Sequence, residues 1–113
     1  MILKIEIDEK ISNLYSSNLA INLVNKNVSY IKGDTVIQNT ECHTDSKEIE
    51  VLLKDYMTYW KPEYIDDSII DGRVIEVLIY TDREVITYHF KNSFPDDYDE
   101  FVKALKGKVG IHD

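Results

Sequence analysis

Apolar and charged side chains alternate from the first residues. In MILKIEID, Leu3, Ile5 and Ile7 are separated by Lys4, Glu6 and Asp8, the period of two expected of a strand with one buried face. EKISNLYSS breaks that pattern: Ile11, Leu14 and Tyr15 have the spacing of one helical turn, while its Ser and Asn favour a loop. It is expected to be irregular, with room for a short helix. A meander follows. Leu19, Ile21 and Leu23 alternate, Asn25-Lys26-Asn27 supplies a turn, Val28, Tyr30 and Ile31 continue, and Gly33-Asp34 turns into TVIQNTECH.

The period then changes to that of a helix. In DSKEIEVLLKDYMTYW, Ile49, Leu52, Leu53, Tyr56 and Trp60 form one apolar stripe. Asp45 and Glu48 have capping-box spacing, Glu50 and Lys54 are an i,i+4 pair, and Pro62 is expected to end the helix. RVIEVLIYTDREVITYHFKN reads as two strands joined at Thr81–Glu84. The first, Val74 to Tyr80, is apolar on both faces except at Glu76, which predicts a central strand. A second helix is expected near SFPDDYDEF, capped by Ser93 or Phe94 with Pro95 in its first turn. Tyr98, Phe101, Val102 and Leu105 would form its stripe, Lys103 and Lys106 would sit at its negative end, and Gly107 would stop it. Residues 108–113 read as a tail.

The order strands, helix, hairpin, helix predicts one compact α+β domain over residues 1–113. Its sheet should be mainly antiparallel, of about five or six strands, with both helices on one face. There is no internal repeat, low-complexity segment or linker. The other face must be polar or paired; KIEID supplies polar positions, but Val74, Leu78 and Tyr80 would leave apolar groups there.

Composition narrows the function. A 43% apolar fraction with eight tyrosines favours a packed core over disorder despite a net charge of −8. The 21 Asp and Glu against 13 Lys and Arg disfavour direct contact with nucleic-acid phosphates or an anionic membrane. The excess lies late: residues 1–61 carry nine acids and seven bases, residues 62–113 twelve and six. No apolar run is long enough for a membrane span, and the N-terminal stretch lacks the features of a signal peptide, so the expected setting is the cytoplasm. Cys42 is the single cysteine, which excludes an internal disulfide and a multi-thiolate metal site.

Candidate chemistry is sparse. WKPEYIDDSIIDGR carries Glu63, Asp66, Asp67 and Asp71, but its D-D-x-x-x-D-G spacing fails the calcium-loop pattern and Leu78 stands six residues past Gly72. Asp71-Gly72 is accounted for as a turn. Cys42 and His43 are neighbours on a strand and point to opposite faces, so they are poor partners for proton transfer; His89 or His112 would have to approach from elsewhere. Walker and Rossmann glycine loops and a G-x-S-x-G elbow are absent. Neither a metal nor a cofactor is expected, and no catalytic residue is assigned.

The aromatics carry more. Tyr56, Tyr59, Trp60 and Tyr64 run into the acidic loop. Tyr56 and Trp60 belong to the stripe, whereas Tyr59 and Tyr64 lie off it. Tyr98 sits among Asp96, Asp97, Asp99 and Glu100. Rings and carboxylates together suit a basic protein partner, the rings as anchors and the carboxylates as steering groups.

The resulting expectation is a small acidic, non-enzymatic binding protein that inhibits a basic partner such as a nuclease or a nucleic-acid-handling complex. Its site would be Tyr59, Glu63, Tyr64, Asp66, Asp67 and Asp71, joined by Asp96, Asp97 and Asp99. In size, charge and composition alone it resembles toxin-immunity proteins and phage-encoded inhibitors of host defence nucleases. This reading predicts a contiguous acidic surface and no deep pocket. A small-ligand or metal-binding domain would instead need a cavity lined by several of Cys42, His43, His89 and the aspartates. An accessory or self-associating subunit would leave an apolar face or a sheet edge open, and a homodimer stays open on that ground.

Overall fold

The alternation at the N-terminus builds the middle strand of a sheet. In a computed structural model that describes residues 1–12, 15–69 and 72–111, the strands are β1 (Ile2–Ile11), β2 (Tyr15–Asn22), β3 (Asn27–Lys32), β4 (Thr35–Glu41), β5 (Glu63–Ile65), β6 (Arg73–Thr81) and β7 (Val85–Lys91). The helices are α1 (Ser46–Met57) and α2 (Tyr98–Lys108). One sheet runs in the order β4-β3-β2-β1-β6-β7-β5, and every pairing is antiparallel except β5 with β7. The α+β class is as expected, but the sheet has seven strands and is mixed, not five or six antiparallel ones.

The additional strand is β5, three residues long and too short to show a period. The chain leaves β4, crosses as α1, and lays β5 against the outer side of β7 in the parallel sense. The stretch expected to be irregular is part of a hairpin instead. β1 continues to Ile11, which pairs with Tyr15, so strand pairing overrides the weak helical spacing. Leu14 lies outside the described residues. β6 is an interior strand between β1 and β7, as its two-sided apolar pattern predicts.

Register stacks the buried residues in rows. Ile5 lies between Ile21 and Ile79, and Ile7 between Leu19 and Val77. Leu19 pairs with Tyr30, Ile21 with Val28, and Ile75 with Phe90. These side chains are buried and form the core beneath the helices. The alternate positions, including Lys4, Glu6, Asp8, Val74, Glu76, Leu78 and Tyr80, face away from the helices. Val74, Leu78 and Tyr80 are half-buried there, and the Lys4 ammonium lies 5.6 Å from the Tyr80 ring centroid. That face is therefore mixed, not a bare apolar sheet.

α1 starts as the sequence reads. Asp45 accepts from the Glu48 N–H at 2.9 Å and the Glu48 carboxylate accepts from the Asp45 N–H at 3.2 Å, the reciprocal capping box. It ends earlier than expected, at Met57, with Thr58 as C-cap. Trp60 is buried but off the helix: its N–H donates to Met57 O at 3.1 Å, and its ring meets those of Tyr88, Phe90, Tyr98 and Phe101 at 5.1–6.1 Å. The indole plugs the gap between both helices and the sheet, which a straight continuation of α1 would not do.

α2 is displaced in the opposite sense. It begins at Tyr98 rather than at Ser93 or Phe94; Pro95 lies before it, with the Tyr98 N–H donating to Pro95 O. It also runs through Gly107. Gly110, at φ 78°, is the stop. The Ile111 N–H donates to Lys106 O at 2.9 Å and the Gly110 N–H to Gly107 O at 3.4 Å, the paired bonds of a Schellman closure. Val109 and Ile111 are buried, so the chain through Ile111 belongs to the core and is not a tail. His112 lies outside the described residues.

Candidate functional site

The acidic loop after β5 is tied down by one asparagine. Asn92, at φ 60°, accepts from the Arg73 N–H at 2.7 Å and donates through Nδ2 to Asp66 O at 3.3 Å and Ile69 O at 3.2 Å. A Cβ on Gly72 would come within 1.4 Å of the Asn92 side-chain oxygen, so glycine is required there for close approach rather than for a left-handed turn. Asp66 accepts from the N–H and hydroxyl of Ser68, and these bonds lower its pKa. Asp67 pairs with Lys91 at 3.3 Å. Both aspartates thus serve the loop. Asp71 lies outside the described residues.

Glu63 and Tyr64 part company. Tyr64 faces the helices and sets its ring 5.4 Å from Phe90, while its hydroxyl accepts from the Lys61 N–H at 3.2 Å. Glu63 alternates to the other face, level with His89, whose Nδ1 is 3.5 Å from Glu76. Cys42 is buried, with Sγ 3.8 Å from Thr44 O, while His43 is exposed. Among the described residues, no group of three or more His, Cys, Asp or Glu is placed to hold a metal ion. No helix among them is long and apolar enough to cross a membrane.

Three concavities are found among the described residues: an open one of about 710 Å³ beside the start of α1, lined in part by Cys42, His43 and Asp45, and two more, one towards each end of α2. The first of these two is shallow, about 280 Å³, and is walled by Tyr56, Tyr59, Trp60, Tyr64 and Phe94 with Asp55, Asp96 and Asp97 at its rim. Tyr59 is 91% exposed. Asp97, the N-cap of α2, makes no capping bond with its side chain; it accepts from Trp60 Nε1 at 2.8 Å instead. Four of the expected residues, Tyr59, Tyr64, Asp96 and Asp97, are brought together here. Asp55, in the last turns of α1, was not foreseen. No lysine or arginine lines this pocket.

The second is an open cleft of about 770 Å³ between β1–β3 and α2. Its end is closed by Arg73, which donates from Nε to Glu9 Oε1 at 2.6 Å and from Nη2 to Asp99 Oδ1 at 3.0 Å. The guanidinium stacks 4.8 Å from the Phe94 centroid and 5.4 Å from that of Tyr98. Burial opposes the Arg73 charge, but the two carboxylates outweigh it and raise the pKa. Tyr98, fully buried with its hydroxyl 3.4 Å from Glu9 Oε2, is raised by burial and then by the Glu9 charge. Asp99 is therefore paired with Arg73 and lines this cleft, whereas Asp96 and Asp97 line the aromatic pocket.

Of the eight expected residues that are described, Tyr59, Tyr64, Asp96 and Asp97 line the aromatic pocket, Asp99 lines this cleft, and Glu63, Asp66 and Asp67 line neither. The remaining lining of this cleft, which includes Tyr15, Ser17, Tyr30, Lys103 and Lys106, comes from separate elements with no common spacing. None of Cys42, His43 or His89 lines it.

The self-association reading keeps one feature. β4 is an outer strand with Val36 and Ile37 exposed, although its pairing with β3 shifts register between Tyr30 and Ile31, an irregularity that blunts edge pairing. Geometry defines the class of molecule as an α+β domain with a helix-covered mixed sheet. A scan against protein-family models finds no match, and none of the curated proteins searched matches the chain in sequence.

Proposed function

We propose that this chain is a small acidic, non-enzymatic binding protein that captures and inhibits a basic protein partner in the cytoplasm. One observation carries the reading: three carboxylates and an almost fully exposed tyrosine surround an aromatic-walled pocket that no cationic side chain lines. A lysine or arginine entering it would meet ring faces and charge-assisted acceptors together. The net charge of −8 adds long-range attraction to a basic groove such as a nuclease's active site. Asp66 and Asp67 contribute to that field but not to the pocket, because their hydrogen bonds and ion pair hold the loop.

The test is affinity capture from a lysate of the source organism with salt-gradient elution, run in parallel with Asp55→Lys/Asp96→Lys. The wild type should retain a basic protein that is released at intermediate salt, and its activity should fall when the chain is added back. The double variant should lose that protein. Identical retention by both would remove the pocket from the contact.

A further inference from the structure

We propose that the cleft between β1–β3 and α2 is a binding site for a small aryl carboxylate, a flat apolar body bearing one anionic group. The proposal does not depend on the protein partner proposed above. The floor is apolar: Ile7 and Leu19 are buried at its base, and the Tyr15 and Tyr30 side chains flank them. A volume of about 770 Å³ falls within the range of ordinary small-molecule sites. Across the floor stands one face of α2, with Val102 and Lys103 each about one turn from Lys106.

Among the described residues, the polar groups not already engaged can each donate a hydrogen bond. Glu9 and Asp99 both accept from Arg73, so the two acids at the cleft are committed. The Lys106 ammonium is held at the wall, donating to Tyr30 Oη at 2.9 Å. The Lys103 ammonium and the hydroxyls of Tyr15 and Ser17 have no partner among the described residues. At the helix end beside them, the Schellman closure pairs the Lys106 and Gly107 carbonyls with the Ile111 and Gly110 N–H groups. Among the described residues that line the cleft, Arg73 and Lys106 are engaged and Lys103 is the cation that remains. A ligand cation would face Lys103. A carboxylate would receive Lys103 and a hydroxyl while its ring covers Ile7 and Leu19.

The test is amide-resolved NMR of the full chain titrated with naphthoate, with naphthalenemethanol and naphthylmethylamine as the neutral and cationic counterparts. Naphthoate should shift amides of Tyr15–Leu19, Tyr30 and Val102–Gly107, and should bind more tightly than either counterpart. Lys103→Glu, an exposed change, should weaken naphthoate about tenfold by reversing one nearby charge and leave naphthalenemethanol nearly unchanged. Ser17→Trp, which fills the floor, should abolish both. Shifts elsewhere or none at millimolar ligand, an amine that binds as tightly as the acid, or indifference to Lys103→Glu would each overturn the proposal.

Discussion

Arg73→Met should be far more costly than its position at the start of a strand suggests, and removal of Glu9 should rescue it. The substitution strips Glu9, whose side chain is only 14% exposed, of its 2.6 Å partner and leaves it a single long bond from Tyr98. Breaking a fully buried pair costs roughly 3–5 kcal/mol. Arg73 is 26% exposed and Met retains part of the packing on Phe94 and Tyr98, so about 2–3 kcal/mol is expected. The bond to Asp99 adds little, since that carboxylate is 69% exposed. Glu9→Leu/Arg73→Met should lie within about 1 kcal/mol of the wild type, because Glu9 pairs with Ile75 beside the core and a leucine there buries apolar area. Urea unfolding followed by the fluorescence of Trp60, the only tryptophan, reads all four corners of the cycle. An Arg73→Met cost below about 1 kcal/mol, or equal costs with and without Glu9, would refute the reasoning.

Three further outcomes follow from backbone and burial. Gly110→Ala should destabilise by about 1 kcal/mol through its left-handed conformation, whereas Gly107→Ala should stabilise by about 0.5–1 kcal/mol as a helix-interior change. A new Cβ meets nothing within 4 Å at either site, so opposite signs in urea melts test the placement of the helix stop. Gly72→Ala should cost roughly 1–3 kcal/mol by forcing the Asn92 side chain away, and pairing it with Asn92→Ala should remove most of the additional penalty. Tyr98 has a raised pKa in the fold, so its contribution is complete below about pH 10 and is lost as pH rises from there. Tyr98→Phe should flatten that alkaline fall in stability, and an unchanged slope between pH 9 and 11 would count against a neutral buried phenol.

What could be read from the sequence was local. The Lys4–Glu6–Asp8 alternation, the Asp45–Glu48 cap and the turn after Thr81 are each settled within a few residues, and each is present in the fold. The failures arise where a distant element decides. Ile11 and Tyr15 fall in a stretch that reads as irregular until pairing with β6 and β2 makes them strand residues. β5 exists only because β7 offers an open side. α2 starts later than Ser93 or Phe94, and its N-cap Asp97 gives its carboxylate to Trp60, thirty-seven residues earlier, instead of to its own helix. The candidate site divides in the same way. Composition grouped Tyr59 with Asp96 and Asp97, which do meet, but could not show that Lys91 and Arg73 neutralise Asp67 and Asp99.

Charge along α2 explains how an acidic chain can present two concavities of opposite character. Asp96 and Asp97 stand at its positive end and Lys106 in its last turn, so the helix dipole favours each where it sits, while Lys103 stands mid-helix. Asp97 and Lys106 are nine residues apart, roughly 14 Å along the axis at 1.5 Å per residue. That exceeds the screening length of about 8 Å at physiological ionic strength. The aromatic pocket and the donor-lined cleft should therefore behave as electrostatically separate sites. Asp55→Lys/Asp96→Lys should leave naphthoate affinity within about twofold, and Lys103→Glu should leave partner capture unchanged. Strong cross-effects at physiological salt would mean that a shared motion of α2, not local charge, links the two ends.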